Sequence, residues 1–312
     1  MFKAAAILGA YFLTCGAFAA QVSSKIYIDK EEKITMKANQ PTEWIFEFID
    51  NITQLTLEHF HPMHEKLMHL MVISEDLSEF AHIHPTYIGS HSGLFSISVN
   101  LPSKDPDNQD VIRAVSKAGN YFLYSEMMPM NFPMLTVPHQ IISEGTPSPK
   151  VPLVLDPVDA KGRIVKYYKQ NGAPGTEGDD YRVTLKVTPI PHCGTTLLKL
   201  TAVFDTFVKG TYLPVTDLQK WLGLYGHGIF LSQVGTTAFD KTFRHVHAIS
   251  PLDEDEQHGP EIVLMSDNHG PMNEGVYKLW VQLKRQEKVF TFPFVFNFKA
   301  APKSLAAAFC SN

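Results

Sequence analysis

The stretch FTFPFVFNF, residues 290–298, carries a phenylalanine at every second position. Side chains alternate between the two faces of a β-strand, so this spacing places five rings on one face. Because proline cannot donate a ladder hydrogen bond, Pro293 predicts that this strand lies at a sheet edge or carries a bulge. Shorter runs of similar character, separated by Gly, Pro, Asn and Asp, occur at residues 44–49, 67–73, 94–99, 197–204 and 275–283. The pattern is typical of all-β sandwiches.

Markers of the first half of the chain recur in the same order in its second half. Residues at corresponding positions of the two halves are Asp50 with Asp205, Tyr121 with Tyr277 and Thr136 with Thr291. The sequence therefore predicts an all-β protein with two tandem Ig-like or cupredoxin-like antiparallel β-sandwich domains that arose by internal duplication. We expect these domains at residues 21–145 and 181–302. A linker rich in proline, glycine and charge would join them at 146–180, and a C-terminal tail would follow at 303–312.

The composition is that of a folded globular chain. Of its 312 residues 44% are hydrophobic and 19% charged, which excludes a disordered protein. The formal net charge of −5 argues against nucleic-acid binding, because that function depends on neutralising phosphates with lysine and arginine. No phosphate-binding glycine loop or dinucleotide fingerprint occurs in the sequence, so nothing indicates an enzyme of those classes.

The N-terminal segment, residues 1–20, has the three parts of a secretory signal peptide. Lys3 supplies the positive charge, residues 4–18 form an apolar stretch, and small residues precede the expected cleavage after Ala19 or Ala20. The apolar stretch is shorter than the ~20 residues that a spanning helix needs, so we expect no membrane span. The sequence thus predicts a periplasmic or secreted protein.

Cleavage of that segment would leave two cysteines, Cys193 and Cys310. In an oxidising compartment such a pair favours a disulfide, which would tie the C-terminal tail to the second domain. Two free thiols, or one weak metal ligand, are the alternatives.

Each half of the chain contains a histidine followed, after a turn segment, by a His-x-His pair. In the first half a polar turn segment separates two strand patterns. Folding the hairpin about its centre sets His69 opposite His84 and Met71 opposite His82. Because alternate residues share a face of a strand, the three imidazoles are expected to converge on one side of the hairpin.

The second half repeats this construction across a longer turn, with His227 opposite His247 and His245 beside them. Imidazoles at such separations can place nitrogens at the ~2.0–2.1 Å from the ion that zinc requires. Both trios are therefore candidate metal sites. The structural alternative is that the histidines are hydrogen-bonded and bridge loops within each sandwich.

Further candidate donors lie close in sequence to the first trio. They are His59, His61, His64, Met127 and Met130. Thioether sulfur favours Cu(I) and imidazole suits copper or zinc, which makes copper the expected metal and zinc the alternative. The methionine stretch at residues 127–134 is also consistent with core packing, because methionine is a routine core filler.

The segment HEKLMHLMVISEDLSEFAHIHP, residues 64–85, resembles a motif of bacterial exported proteins with YtkA-like or heavy-metal-associated His-x-His domains. Residues 222–227, 243–247 and 275–280 are similar to the companion motif of those proteins. The resemblance implies tandem β-sandwiches, a role in heavy-metal or copper handling, and metal ligation by both trios. Two departures are Ala248, which replaces the proline that follows the first His-x-His, and the methionine-rich loop, which is not part of the motif.

Together these observations predict an exported, non-enzymatic metal-binding protein that serves metal tolerance, storage or delivery. Its expected partner is a metal ion, with no nucleic acid. One alternative is an Ig-like interaction or adhesion module without metal, which would bind another periplasmic or surface protein. A metal-dependent hydrolase is the other, since three protein ligands and one open position is also the catalytic zinc pattern.

Overall fold

The computed structural model describes residues 21–89, 91–192, 195–249, 258–266 and 272–300. The predicted signal peptide, the Cys193–Cys310 pair and the predicted tail lie outside the described residues. Within them, no helix is both long and apolar enough to cross a membrane.

β-Strands are the main element of the described residues, among which the one helix is a short 3-10 helix. The first half contains β1 (Val22–Ile28), β2 (Glu31–Glu32), β3 (Thr35–Lys37), β4 (Thr42–Asp50), β5 (Phe60–His61), β6 (Met68–Ser74), β7 (Phe80–Ile83), β8 (Thr86–Ile88), β9 (Leu94–Val99), a 3-10 helix (Pro106–Arg113), β10 (Gly119–Pro129) and β11 (Leu135–Glu144). The second half contains β12 (Arg163–Tyr168), β13 (Tyr181–His192), β14 (Thr195–Val208), β15 (Thr211–Pro214), β16 (His227–Ser232), β17 (Phe243–Ala248), β18 (Glu261–Met265), β19 (Gly275–Arg285) and β20 (Lys288–Phe298). The predicted all-β class is confirmed.

The chain divides into two compact units. The first contains the residues up to Pro152 together with Thr236–Asp240, and the second contains Leu153–Gly235 and the residues from Lys241 onward. Most of the segment predicted as a linker, 146–180, therefore belongs to the second unit. It contributes β12, which pairs with β13 along its whole length. That the two units arose by duplication stays a prediction.

The first unit is a sandwich of two sheets. One has the strand order β2-β1-β4-β9-β8, and the other has the order β3-β11-β10-β6-β7, with β5 beside β10. All pairs are antiparallel except β3 with β11. Alternate residues of each sheet face a common core, to which Phe46 and Phe95 contribute from one sheet and Leu70 and Leu123 from the other.

The second unit is one continuous antiparallel sheet, ordered β12-β13-β14-β18-β17-β16-β19-β20, with β15 beside β14. Its two ends meet across the core, because the hydroxyl of Tyr168 on β12 donates to the carbonyl of Pro293 on β20 at 2.8 Å. The five alternating phenylalanines of β20 all lie in this core, as their spacing predicts. β20 is also the last strand of the sheet, so Pro293 stands on an edge strand.

His139 lies in the core of the first unit and is held on both sides. Its Nδ1 is 2.9 Å from the hydroxyl of Ser24, and its Nε2 is 2.9 Å from the hydroxyl of Ser125. The rings of Phe46 and Phe48 pack against it. Burial lowers the pKa of His139 to about 3, so the folded protein holds this imidazole neutral over most of the pH range.

The neutral His139 predicts a specific loss of stability in acid. An unfolded histidine has a pKa of about 6.5, so the contribution of His139 is fully present above that pH and is lost as the pH falls toward 3. We expect His139→Gln to lower the slope of unfolding free energy against pH by about 1.4 kcal/mol per pH unit between pH 6 and 4.5. Urea unfolding at several pH values measures this slope. Equal slopes in the two proteins would show that His139 does not titrate on unfolding.

Candidate metal centres

The two histidine trios lie on hairpins whose registers match those predicted. In the first unit β6 pairs with β7 so that Met71 faces His82, which sets His69 across from His84. In the second unit β16 pairs with β17 so that His227 faces His247, and His245 faces Ile229. We call His69, His82 and His84 the first trio, and His227, His245 and His247 the second trio.

Both trios lie on the sheet face that points away from the core of their own unit. Leu70 of β6 and Phe230 of β16 belong to the two cores, so His69 and His227 face the opposite way. Five of the six imidazoles are nevertheless buried, and His247 is partly exposed: the members of the first trio are 1–3% exposed, and His227 is fully buried. Buried polar groups need hydrogen-bond partners, and the ring nitrogens of the two trios have partners of the same kinds.

The ring nitrogens of each trio converge. In the first trio Nδ1 of His69 is 3.1 Å from Nε2 of His82, and in the second Nδ1 of His227 is 3.4 Å from Nε2 of His245. One nitrogen from each of the three rings lies within 4.8 Å of the others in both trios. Two nitrogens that each lie ~2.0–2.1 Å from a tetrahedral ion are roughly 3.3 Å apart, so the measured pair in each trio has the spacing of two ligands of one ion.

A backbone carbonyl fixes the tautomer of the leading histidine in each trio. Nε2 of His69 is 2.9 Å from the carbonyl oxygen of Met63, and Nε2 of His227 is 3.0 Å from that of Trp221. A carbonyl only accepts, so Nε2 carries the hydrogen and the lone pair resides on Nδ1. In both cases Nδ1 is the nitrogen that faces the next histidine. This is the arrangement that outer-shell partners impose on metal-ligating histidines.

The two carbonyls come from matching tight turns. Met63 and Lys66 exchange both backbone hydrogen bonds, as do Trp221 and Leu224. The two central residues of each turn have positive φ, at 46° and 68° in residues 64–65 and 54° and 76° in residues 222–223. These are type I′ turns, which the two-residue hairpin geometry favours. Such a turn aims the carbonyl of its first residue at the histidine six positions later.

The 3-10 helix ties down the other two histidines of the first trio. The side chain of Asn108 accepts from the backbone N–H of His84 at 2.6 Å and donates to the carbonyl of His84 at 3.0 Å. The carbonyl of Asp107 lies 3.1 Å from Nδ1 of His84, which assigns the lone pair of that ring to Nε2. Asp110 accepts from the backbone N–H of His82 at 3.3 Å, and burial raises the pKa of Asp110 to about 6.

These residues of the 3-10 helix were not predicted as part of the site. Asp105 followed by Pro106 is a recognised signal for a helix start, and the Asp105 side chain does cap the first turn. The sequence could therefore have revealed the helix but not its contact with the hairpin.

A surface cavity of about 430 Å³, lined in part by His84 and Asn108, adjoins the first trio.

The environment of the first trio keeps its leading imidazole neutral. Burial lowers the pKa of His69, and this is opposed in part by the hydrogen bond to Met63 and by the carboxylate of Glu126. The pKa of His64 is likewise lowered by burial and raised in part by Glu126. Neutral imidazole is the form that binds metal ions.

The secondary candidates are distributed over three places. The ring of His64 is 6.3 Å from that of His69, at the rim of the first trio. His59 instead joins Glu58 and His91 in a third cluster, which is exposed, and His61 is exposed on β5. The first trio thus has one of these three histidines as a neighbour.

The two methionines named as candidates do not lie with the first trio. Met127 pairs with Met68 and is buried in the core of the first unit, on the opposite face of the sheet from His69. Met130 is 47% exposed and lines a surface depression with His59 and His61. Met127 therefore packs in the core and does not supply the expected thioether donor to the first trio.

The two hydrogen bonds between the Asn108 side chain and the backbone of His84 predict a loss of stability when that side chain is removed. Asn108→Ala would leave the buried backbone N–H and C=O of His84 without their present partner, so we expect the free energy of unfolding to fall by about 2–3 kcal/mol. Gln109→Ala, which removes an exposed amide of the same helix, should change it by less than about 0.5 kcal/mol. Urea unfolding measures both. Equal losses of unfolding free energy in the two variants would mean that the 3-10 helix as a whole, and not the hydrogen bonds of Asn108 to His84, stabilises the fold.

Comparison with known proteins matches one family model to part of the chain. Solved structures that align with it include the tetra-tandem repeat in the extending region of a large adhesion protein, at 8% identity and a TM-score of 0.23, over 89% of this chain and 50% of that one. Dimeric latent PorU from Porphyromonas gingivalis aligns at 10% identity and a TM-score of 0.23, over 90% of this chain and 24% of that one. The chain thus spans half or less of these two proteins. No curated protein matches it. A family model described as a domain of unknown function (DUF8832) matches residues 176–300, which include β13 to β20 and the second trio.

Proposed function

We propose that this protein binds two transition-metal ions, one at each histidine trio. The observation that carries the proposal is the fixed orientation of the leading histidine in each trio. Its Nε2–H is held by a turn carbonyl, and its Nδ1 faces a second ring nitrogen at 3.1 or 3.4 Å. A buried structural histidine needs one partner for its N–H and one for its lone pair, whereas a metal site directs the lone pairs of several imidazoles at one point.

Copper is the proposed metal, and zinc is the alternative. Both suit imidazole ligands. The case for Cu(I) from thioether donors is weaker than the sequence suggests, because Met127 packs in the core. The metal therefore has to be identified by analysis of the protein itself.

The proposed role is metal handling outside the cytoplasm, in tolerance, storage or delivery. Export is supported by the signal-peptide pattern of residues 1–20. A binding role is favoured over a catalytic one because the three imidazoles of the first trio are only 1–3% exposed. A catalytic metal keeps an open coordination position that a substrate can reach.

Loss of each trio should remove one metal ion from the protein. We expect untagged, full-length protein to bind two equivalents of copper or zinc, and His82→Ala/His84→Ala and His245→Ala/His247→Ala to bind one equivalent each. Elemental mass spectrometry after dialysis against a weak chelator gives the stoichiometry, and circular dichroism establishes that each variant is folded.

A matched control removes two histidines from the exposed third cluster. His59→Ala/His91→Ala should retain both equivalents, since these side chains are exposed. If the wild-type protein contains no metal and takes up neither copper nor zinc, the metal proposal is wrong. The interaction module without metal would then be the better hypothesis.

A further inference from the structure

The two trios have a neighbour at the same place on the adjacent strand, and its charge differs between them. On the adjacent strand, His69 pairs with Glu126 of β10, and His227 pairs with Gln282 of β19. Directly opposed residues have Cβ atoms ~4.5–5.5 Å apart and share a face of the sheet. A carboxylate therefore stands beside the first trio where an amide stands beside the second.

The two side chains are held alike. The hydroxyl of Thr136 donates to Oε1 of Glu126 at 3.1 Å, and the amide nitrogen of Gln282 donates to the hydroxyl of Thr291 at 3.1 Å. Glu126 is 4% exposed and Gln282 is fully buried. Since glutamate and glutamine have the same shape, the two positions differ in charge far more than in geometry.

The turn residues beside the trios differ in polarity in the same direction, being more polar at the first trio than at the second. The first central residue of the turn is His64 at the first trio and Leu222 at the second. Leu222 is buried, and the ring of Trp221 packs against His227 at 5.0 Å. The second trio thus has an apolar wall and a neutral amide, whereas the first has a half-buried histidine and a carboxylate.

The affinity of a site for an ion depends strongly on such a difference, and the effect grows with the charge of the ion. Moving a cation from water into a protein interior carries a penalty that rises steeply with its charge, and three neutral imidazoles compensate none of that charge. A nearby carboxylate compensates one unit, and its attraction is proportional to the charge of the ion. A divalent ion therefore gains more from Glu126 than a monovalent ion does.

We propose that Glu126 adapts the first trio to divalent ions, whereas Gln282 leaves the second trio better suited to monovalent Cu(I). The proposal rests on the proposed function, because it presupposes that both trios bind metal. It makes the two sites of one protein differ in the oxidation state that they prefer. Glu126 acts in it as a charge-compensating neighbour of the three nitrogen ligands.

The test isolates each trio and exchanges the two side chains. Full-length protein with His245→Ala/His247→Ala keeps only the first trio, and full-length protein with His82→Ala/His84→Ala keeps only the second. Zn²⁺ and Cu(I) affinities of both are measured by competition with chromophoric chelators of known affinity. Glu126→Gln is then added to the first and Gln282→Glu to the second, and melting curves check that each variant is folded.

We expect Glu126→Gln to weaken Zn²⁺ binding at the first trio at least tenfold. Because the Coulomb term is proportional to the charge of the ion, the change in log Kd for Zn²⁺ should be about twice that for Cu(I). Gln282→Glu should strengthen Zn²⁺ binding at the second trio in the same proportion, and this gain cannot arise from misfolding.

The outcomes separate this proposal from the one on which it depends. If both trios bind metal but neither exchange alters the ratio of Zn²⁺ to Cu(I) affinity, the role of Glu126 is refuted and the metal sites stand. Equal fold-changes for the two ions would have the same meaning. If the wild-type protein binds neither ion, both proposals are wrong.

Discussion

The hydrogen bond from the leading histidine to a turn carbonyl is the constraint on which both candidate sites depend. A neutral imidazole has one N–H and one lone pair, and either nitrogen can carry the hydrogen. The carbonyls of Met63 and Trp221 determine which one does, at 2.9 and 3.0 Å. Each carbonyl is itself immobilised by a two-residue turn. The backbone, and not another side chain, therefore directs the lone pair of Nδ1 toward the neighbouring ring.

This constraint is effective only because the register of the hairpin is fixed. A shift of one strand by one residue would carry the histidines of that strand into the core and bring its core residues to the outer face. The hydrophobic side chains prevent that shift: Leu70 and Ile83 pair across the first hairpin, and both belong to the core of the first unit. Val246 lies in the core in the same way in the second hairpin. Core packing on one face of the sheet thus determines the geometry of the trio on the other.

Local periodicity was sufficient to predict what lies within a strand or a hairpin. It placed the five rings of residues 290–298 on one face and set Met71 opposite His82, and both are confirmed. It could not predict which distant strand pairs with β6. Glu126 and Met127 are adjacent in a strand and so face opposite ways, but only the pairing with β10 shows that Glu126 shares the face of His69.

The same limit explains the other differences. Residues 146–180 have the composition of a linker, yet β12 within them is an edge strand that is stabilised by its pairing with β13. The contact of Asn108 with His84 joins residues far apart in sequence through a short 3-10 helix. Both features depend on tertiary contacts, which override the local preference of a short segment.

The position of the trios also bears on why histidines occur there twice. If packing alone were retained in both units, the residues required would be those of the core face, such as Leu70 and Phe230. The histidines lie on the other face, where no core requirement selects them. The hydrogen bonds to the turn carbonyls orient the leading histidine but do not account for the convergence of the remaining nitrogens within 4.8 Å. A shared ion would account for that convergence in both units, because it needs all three lone pairs at one point.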